Sequence, residues 1–284
     1  LKKKLFYKLK KKKIEISRYI LWFENQPINK GVIMGLNKYY PKTKTIGYVG
    51  FFNSPNALGL YPTVQEFKFK LLPNEIAVMG KKYIEDIKVF CPKQKVILLP
   101  AFRFQNLLKP FLEKKSSKIF TVLLALPIFS IDYVNIINLV SLIKNTIEFD
   151  IIIKTHPGSN QKKLYQLLYK KKLNSFVSPD NMYQCLNKSD LVITCGSSSA
   201  IESIFLKKPT IILSNRISLI KNPIPQKIPK EFYSICYDKN DLINKIKFYK
   251  KNKNKISNNY SKLNIEDFIY KNNKLDMESV FGMD

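Results

Sequence analysis

This 284-residue chain has one histidine, one tryptophan and only three arginines among its 49 basic residues. The lone His156 and four cysteines, Cys91, Cys185, Cys195 and Cys236, contain no CxxC pair, so no zinc-ligand spacing exists and no metal site is expected. A chain of this length buries a core without staples, and the cysteines are read as reduced, buried thiols of a cytoplasmic protein. Base readers favour the forked guanidinium of Arg, and the chain has only Arg18, Arg103 and Arg216. Nucleic acid is therefore not an expected partner, despite a formal net charge of +28. The start, Leu1-Lys-Lys-Lys-Leu-Phe-Tyr-Lys, is basic but has no apolar stretch behind it, so no secretory leader is expected. It lacks an initiator Met, which suggests sequence missing upstream.

Hydrophobic residues make up 45% of the chain and charged residues 25%, ordinary values for a globular protein, and the length favours two domains. The Lys-rich charge is a physical field that draws the chain toward anions, lipid headgroups and anionic donor sugars included. Ile119–Ile143 is long enough to span a bilayer and carries a single charge, Asp132. Pro127, Ser130, Asn135 and Asn138 interrupt it, and positions 132, 135, 138, 141 and 145 share one helical face. The segment reads as strand, turn and amphipathic helix, with Ser130 as its N-cap.

Strands without strict alternation, each followed by an amphipathic helix, predict parallel sheets covered on both faces. Residues 1–94 supply strands at Ile14–Phe23, Thr45–Phe51 and Glu75–Met79, a helix at Asn29–Tyr40 and a loop at Asn53–Asn56. That is βαβ material, too little for a whole doubly wound domain. Residues 95–255 supply strands at Val96–Leu99, Ile119–Leu126, Asp150–Lys154, Ser175–Val177, Leu191–Thr194, Thr210–Leu213 and Phe232–Cys236, with helices near 131–146, 160–171, 181–187, 200–207 and 240–250. Residues 256–284 form a C-terminal tail.

Ligands of open α/β sheets bind outside the carboxyl ends of strands. Lys154-Thr155-His156-Pro157-Gly158 follows one strand, and the two-residue spacing predicts both cationic side chains on one side, suited to a phosphate. A strand-end histidine that only satisfies loop carbonyls is the competing reading. Gly196-Ser197-Ser198-Ser199 joins another strand to a helix and offers close backbone approach, free N–H groups and three hydroxyls. Ser199-x-x-Glu202 is equally a capping box. Adjacent strand ends would bring both groups to one nucleotide phosphate. Neither a Walker loop nor GxGxxG is present.

The order strand–Lys-x-His-Pro, then strand–Gly-Ser-Ser-Ser–helix about forty residues on, resembles the donor half of bacterial GT-B glycosyltransferases. It is most similar to the CMP-sugar-using sialyltransferase and Kdo-transferase types, with their HP and Ser-Ser motifs. Asp190-Leu-Val-Ile-Thr-Cys-Gly-Ser-Ser-Ser-Ala-Ile-Glu-Ser carries the same pattern, and the stretches from Trp22 and Tyr40 resemble proteins of surface-carbohydrate biosynthesis. The resemblance implies an α/β, GT-B-like fold of two Rossmann-like domains, the first incomplete in this chain. It implies that Lys154 and His156 contact the donor phosphate, with Ser198 and Ser199 gripping it, helped by Gly196 and Ser197. Asp180 would hold the ribose. The Asp-Asp/Glu-Gly motif of some sialyltransferases is absent, which leaves Glu24 as candidate base; a helix-start carboxylate opposing the dipole is its competing reading.

The activity implied is metal-independent transfer of a sugar, without a cofactor, from a nucleotide-activated, CMP-linked donor to a glycan or lipid-linked acceptor of surface polysaccharide or lipopolysaccharide synthesis. The alternatives are a CDP-glycerol-type polyol-phosphate transferase and a non-catalytic basic module that binds membrane surfaces. A cytoplasmic protein held peripherally at the inner face of the inner membrane is expected.

Overall fold

The computed structural model describes residues 2–52, 54, 56–108, 119–214, 222–271 and 278. Arg216, and Asn53 and Pro55 of the expected loop, lie outside them. Two compact units form. The first gathers the described residues of 1–51, 57–109 and 264–284; the second gathers those of 52–56 and 110–263.

The first unit runs α1 (Lys2–Lys11), β1 (Arg18–Trp22), α2 (Pro27–Tyr39), β2 (Lys44–Val49), α3 (Val64–Lys68), β3 (Glu75–Val78), α4 (Lys82–Phe90) and β4 (Lys95–Leu98). Its four strands are all parallel and lie in the order β1-β2-β3-β4. One face packs Phe6 of α1, Ile33 and Leu36 of α2 and Ile87 of α4 against Leu21, Ile76 and Val78. Residues 264–271 complete the unit: Tyr270 N–H donates to Met79 O at 2.7 Å, and Ala101 N–H to Tyr270 O at 3.0 Å.

The second unit runs β5 (Thr121–Ala125), α5 (Ser130–Ile143), β6 (Asp150–Lys154), α6 (Gln161–Lys170), α7 (Met182–Lys188), β7 (Leu191–Thr194), α8 (Ser199–Phe205), β8 (Thr210–Leu213), β9 (Tyr233–Cys236), α9 (Lys239–Lys251) and α10 (Lys253–Asn259). Its five parallel strands take the order β6-β5-β7-β8-β9. β5, β7 and β8 are buried at every residue, which is why their sequences run apolar without alternation. Each fully buried Ile or Leu there contributes roughly 1.5–3 kcal/mol.

Five expectations change. Val96–Leu99 does not open the second domain: Lys95–Leu98 pairs with β3 and closes the first sheet, so the boundary expected at 94/95 lies beyond 108. The expected 256–284 tail divides, because α10 belongs to the second unit and residues 264–271 to the first. Ser175–Val177 is not a strand. A 3-10 turn occupies Asn174–Phe176, and only Val177 bridges Ile153 at the β6 edge before the chain turns away. Ser130 is the first residue of α5 rather than its cap; Phe129 holds the cap position and makes no side-chain cap bond. Asp132, expected on the polar face, is buried in the first turn, where the positive helix end favours a carboxylate. All four cysteines are buried, and none forms a disulfide. Among the described residues no helix is long and apolar enough to cross a membrane.

Candidate functional site

In the second sheet the chain lays down β5, steps outward to β6, then returns to add β7 on the other side. The order reverses between β5 and β7, and the crevice outside the carboxyl ends of such a pair is where open α/β sheets bind ligands. The loop leaving β7 is Cys195-Gly196-Ser197-Ser198. Gly196 has φ of 53°, a left-handed conformation that disfavours any side chain. The N–H groups of Gly196, Ser197 and Ser198 have no hydrogen-bond acceptor among the described residues. Successive free N–H groups around a left-handed residue form a concavity suited to an anion.

The three serine hydroxyls differ. Thr194 donates from Oγ1 to Ala125 O at 2.8 Å, which leaves Ser199 to donate to Thr194 Oγ1 at 3.3 Å, in the core. Ser198 donates to Glu202 Oε1 at 3.0 Å. Ser197 only accepts, from Ser199 N–H at 3.4 Å, so its own hydroxyl hydrogen is uncommitted. The expected Ser199-x-x-Glu202 capping box is not formed; Ser198 occupies the cap position and uses its side chain on Glu202.

β6 ends at Lys154, and strand alternation ends with it. Lys154 and His156 therefore part. Lys154 donates from Nζ to the carbonyl of Asp180. His156 is exposed, and its Nδ1 accepts from Gly158 N–H at 3.0 Å. The neutral ring then carries its proton on Nε2, which points a donor away from the backbone. The His156 carbonyl holds Ser159 and Gln161, so the turn leading into α6 is fixed from both sides.

Asp180 sits on the Lys154 side of the sheet rather than with the serine loop. Its carboxylate pairs with Lys188 at 2.5 Å, which together with Ser178 and Lys154 holds it below the usual carboxylate range. Lys154, Asp180 and Lys188 form one cluster.

The two candidate anion anchors do not follow adjacent strands. β5 lies between β6 and β7. Two inter-strand steps separate the strand ends by roughly 10 Å. The intervening loop of β5 exposes Ile128 and Phe129, the latter 65% exposed. These apolar side chains carried no chemical motif in the sequence; the visible signal was only an apolar pair in a turn.

Glu24 belongs to the first unit, just beyond the carboxyl end of β1. Trp22 Nε1 donates to its Oε1 at 2.8 Å, and Gln26 Nε2 to its Oε2 at 2.7 Å. Asn29 braces the turn: its Oδ1 accepts from Glu24 and Gln26 N–H, and its Nδ2 donates to Trp22 O. Asn25 has φ of 53° and is almost wholly buried, with Nδ2 donating to Tyr61 O at 2.9 Å and Glu66 Oε2 at 3.1 Å. That left-handed turn aims the chain from β1 into α2 and sets the position of Glu24. Asn tolerates this conformation better than most residues, which was the one cue in the sequence. No group of three or more potential metal-ligating side chains occurs among the described residues.

No family model matches the chain, and no curated protein does. Solved structures do. A glycosyltransferase from Rickettsia africae ESF-5 is 15% identical, with TM-score 0.55, covering 94% of this chain and 76% of that one. WaaG, a glycosyltransferase involved in lipopolysaccharide biosynthesis, is 10% identical with TM-score 0.52, covering 90% and 85%. The UDP-GlcNAc 2-epimerase from Neisseria meningitidis, bound to UDP-GlcNAc, is 16% identical with TM-score 0.53, covering 92% and 77%. Likeness at this identity speaks for fold and not for reaction, as an epimerase among the three illustrates. With two parallel-sheet α/β units and these neighbours, the fold of this chain is GT-B.

Proposed function

We propose that the chain is a glycosyltransferase of surface polysaccharide or lipopolysaccharide synthesis, taking sugar from a nucleotide-activated, CMP-linked donor to a glycan or lipid-linked acceptor. The observation that carries this reading is the β7 loop at the switch point: three free N–H groups and the Ser197 hydroxyl, with the Nε2–H of His156 beyond β5. Donors fixed in advance, aimed where a departing phosphate gathers charge, stabilise the transition state without reorganising. Lys154 adds positive charge, and Asp180 holds it in place through its carbonyl. Glu24, on the first unit, takes the proton of the acceptor hydroxyl. Both of its oxygens are oriented by a donor, and each keeps a lone pair for that proton.

In this reading neutralisation of the leaving phosphate comes from side chains and backbone, so turnover in EDTA is expected to equal turnover with Mg²⁺. The roughly 10 Å between anchors favours a donor with more than one polar end. A CMP-linked acidic sugar has a phosphate and a carboxylate. The same spacing keeps the CDP-glycerol type as a second reading, since its pyrophosphate is longer. Incubation with CMP-Kdo, CMP-sialic acid, CDP-glycerol and UDP-sugars, followed by nucleotide release, separates them. Release of CMP from a CMP-sugar supports the first reading, and release from CDP-glycerol alone replaces it with the second. Release from none of them counts against transfer.

The chain is further proposed to work in the cytoplasm and to bind anionic lipid reversibly. α1 is the basis: Phe6 is buried in the first unit, while Leu5, Tyr7 and a row of lysines are exposed.

A further inference from the structure

We propose that Trp22 is a stacking platform for a pyranose ring of the acceptor. Trp22 is the chain's sole tryptophan, ends β1 and is 47% exposed. The indole presents an apolar face and a polar N–H edge together, the surface a sugar ring can stack on. It is also held rigidly. Its ring stacks on Phe51 at 5.6 Å and 27°, and meets Tyr48 edge-on at 5.9 Å. Tyr48 in turn meets the exposed ring of Phe102 at 5.5 Å and anchors its hydroxyl on Pro100 O at 2.8 Å. Gly50 makes room: a Cβ there would lie 2.3 Å from Tyr48 and 2.9 Å from Trp22. The indole N–H is already bonded to Glu24, which fixes the ring's tilt.

The occupant follows from what surrounds the ring. A sugar ring offers a flat, apolar C–H face and a rim of hydroxyls. Trp22 matches the face. The Glu24 carboxylate and the Gln26 carboxamide, beside its polar edge, match the rim with acceptors and donors. A lipid tail has no use for that carboxylate. The site lies at the carboxyl end of a parallel strand, where this architecture presents ligands. The inference deepens the sugar-transfer reading by naming how the acceptor is held beside Glu24.

A single tryptophan makes the test direct. Maltotriose, chitotriose and galactobiose are titrated into the full chain while Trp22 emission is followed, with sorbitol as acyclic control and dodecylphosphocholine micelles as apolar control. The expected result is a saturable millimolar response to at least one glycan and none to sorbitol. Calorimetry with that glycan then gives at least tenfold weaker binding for Trp22→Ala and an intermediate loss for Trp22→Phe. CMP and CDP binding is measured alongside and stays within twofold in both variants. No saturable response to any glycan, a response to micelles alone, or Trp22→Ala binding within twofold of wild type overturns the proposal. Glycan binding with no nucleotide binding leaves Trp22 as a sugar platform and removes the transferase reading instead.

Discussion

Gly158 N–H donates to Nδ1 of His156 at 3.0 Å, and this one bond decides which nitrogen of the only histidine faces outward as a donor. A glutamine amide nitrogen mimics Nε2, whereas an asparagine is too short to reach the same place. Loss of a hydrogen bond to a charged phosphate costs about 1.5–3 kcal/mol, or roughly ten- to 150-fold. Calorimetric titration of CMP and CDP is therefore expected to show that loss in His156→Ala and His156→Asn, with His156→Gln markedly closer to wild type. Equal binding by all three variants would remove His156 from the nucleotide site.

In the β7 loop the order of importance is Ser197, then Ser198, with Ser199 acting on stability. Ser197→Ala removes the one uncommitted hydroxyl hydrogen and is expected to weaken nucleotide binding about five- to tenfold, consistent with a net hydrogen bond of ~1 kcal/mol. Ser198→Ala removes a donor already satisfied by Glu202 and is expected to leave affinity within about twofold. Ser199→Ala strips a buried partner from Thr194 and is expected to lower the melting temperature without a matching change in affinity. Gly196→Ala forces a Cβ into a left-handed backbone at about 1–2 kcal/mol.

Apolar runs such as Leu191–Thr194 announce parallel strands buried on both faces, because burial on each side leaves no position for alternation. Strand order is a non-local property. Nothing near Lys154 or Gly196 reveals that β5 separates them, so the single shared phosphate point expected from adjacent ends becomes two anchors. The period-two rule fails at His156 because the strand stops at Lys154. Which of Ser197, Ser198 and Ser199 keeps a free hydrogen depends on Ala125, sixty-nine residues from Thr194. Trp22 and Phe51 are distant in sequence and become a platform only through pairing of β1 with β2.

Glu75 gives the first unit a pH dependence. It opens β3, is 4% exposed, and lies 2.5 Å from Lys95 and 3.1 Å from Lys44 on the two neighbouring strands. Burial pushes its carboxyl up, but the hydrogen bonds from Lys95 and Lys44 outweigh that and hold it below the usual value. A depressed folded-state pKa stabilises above the unfolded value of about 4.3 and loses that effect as pH falls through the folded value. Melting followed by Trp22 emission is expected to be flat near neutrality and to fall below about pH 4. Glu75→Gln is expected to cost about 1–2 kcal/mol at pH 7 and to flatten that slope. A slope unchanged in Glu75→Gln would place the acid sensitivity elsewhere.

α1 is expected to carry the lipid interaction. Each lysine near an anionic bilayer contributes about 1 kcal/mol, screened within a Debye length by salt. Replacing Lys4, Lys8 and Lys11, all exposed, with glutamate reverses three such contributions. Flotation with vesicles of 30% phosphatidylglycerol is expected to capture the wild type at low salt, to release it at 0.5 M NaCl and to fail with the triple variant. Capture that is indifferent to salt or to lipid charge would exclude an electrostatic mode.

Glu24→Gln separates chemistry from binding. The glutamine carbonyl still accepts from Trp22 Nε1, so the indole keeps its tilt, but the side chain no longer takes a proton. The amide NH2 that replaces Oε2 is a donor and no longer accepts from Gln26 Nε2, so Gln26 meets it with its carboxamide oxygen instead. Removal of a general base typically costs 10²–10⁴ in turnover, roughly. The expected outcome is a fall in kcat of that size, with nucleotide affinity within about twofold of wild type, since the donor anchors lie on the second unit and are untouched. Glu24→Asp retains the carboxylate on a shorter arm and gives up the Trp22 bond, so it is expected to recover part of kcat while raising KM for the acceptor. If Glu24→Gln instead raises KM and spares kcat, Glu24 positions the acceptor through Trp22 and another group takes the proton.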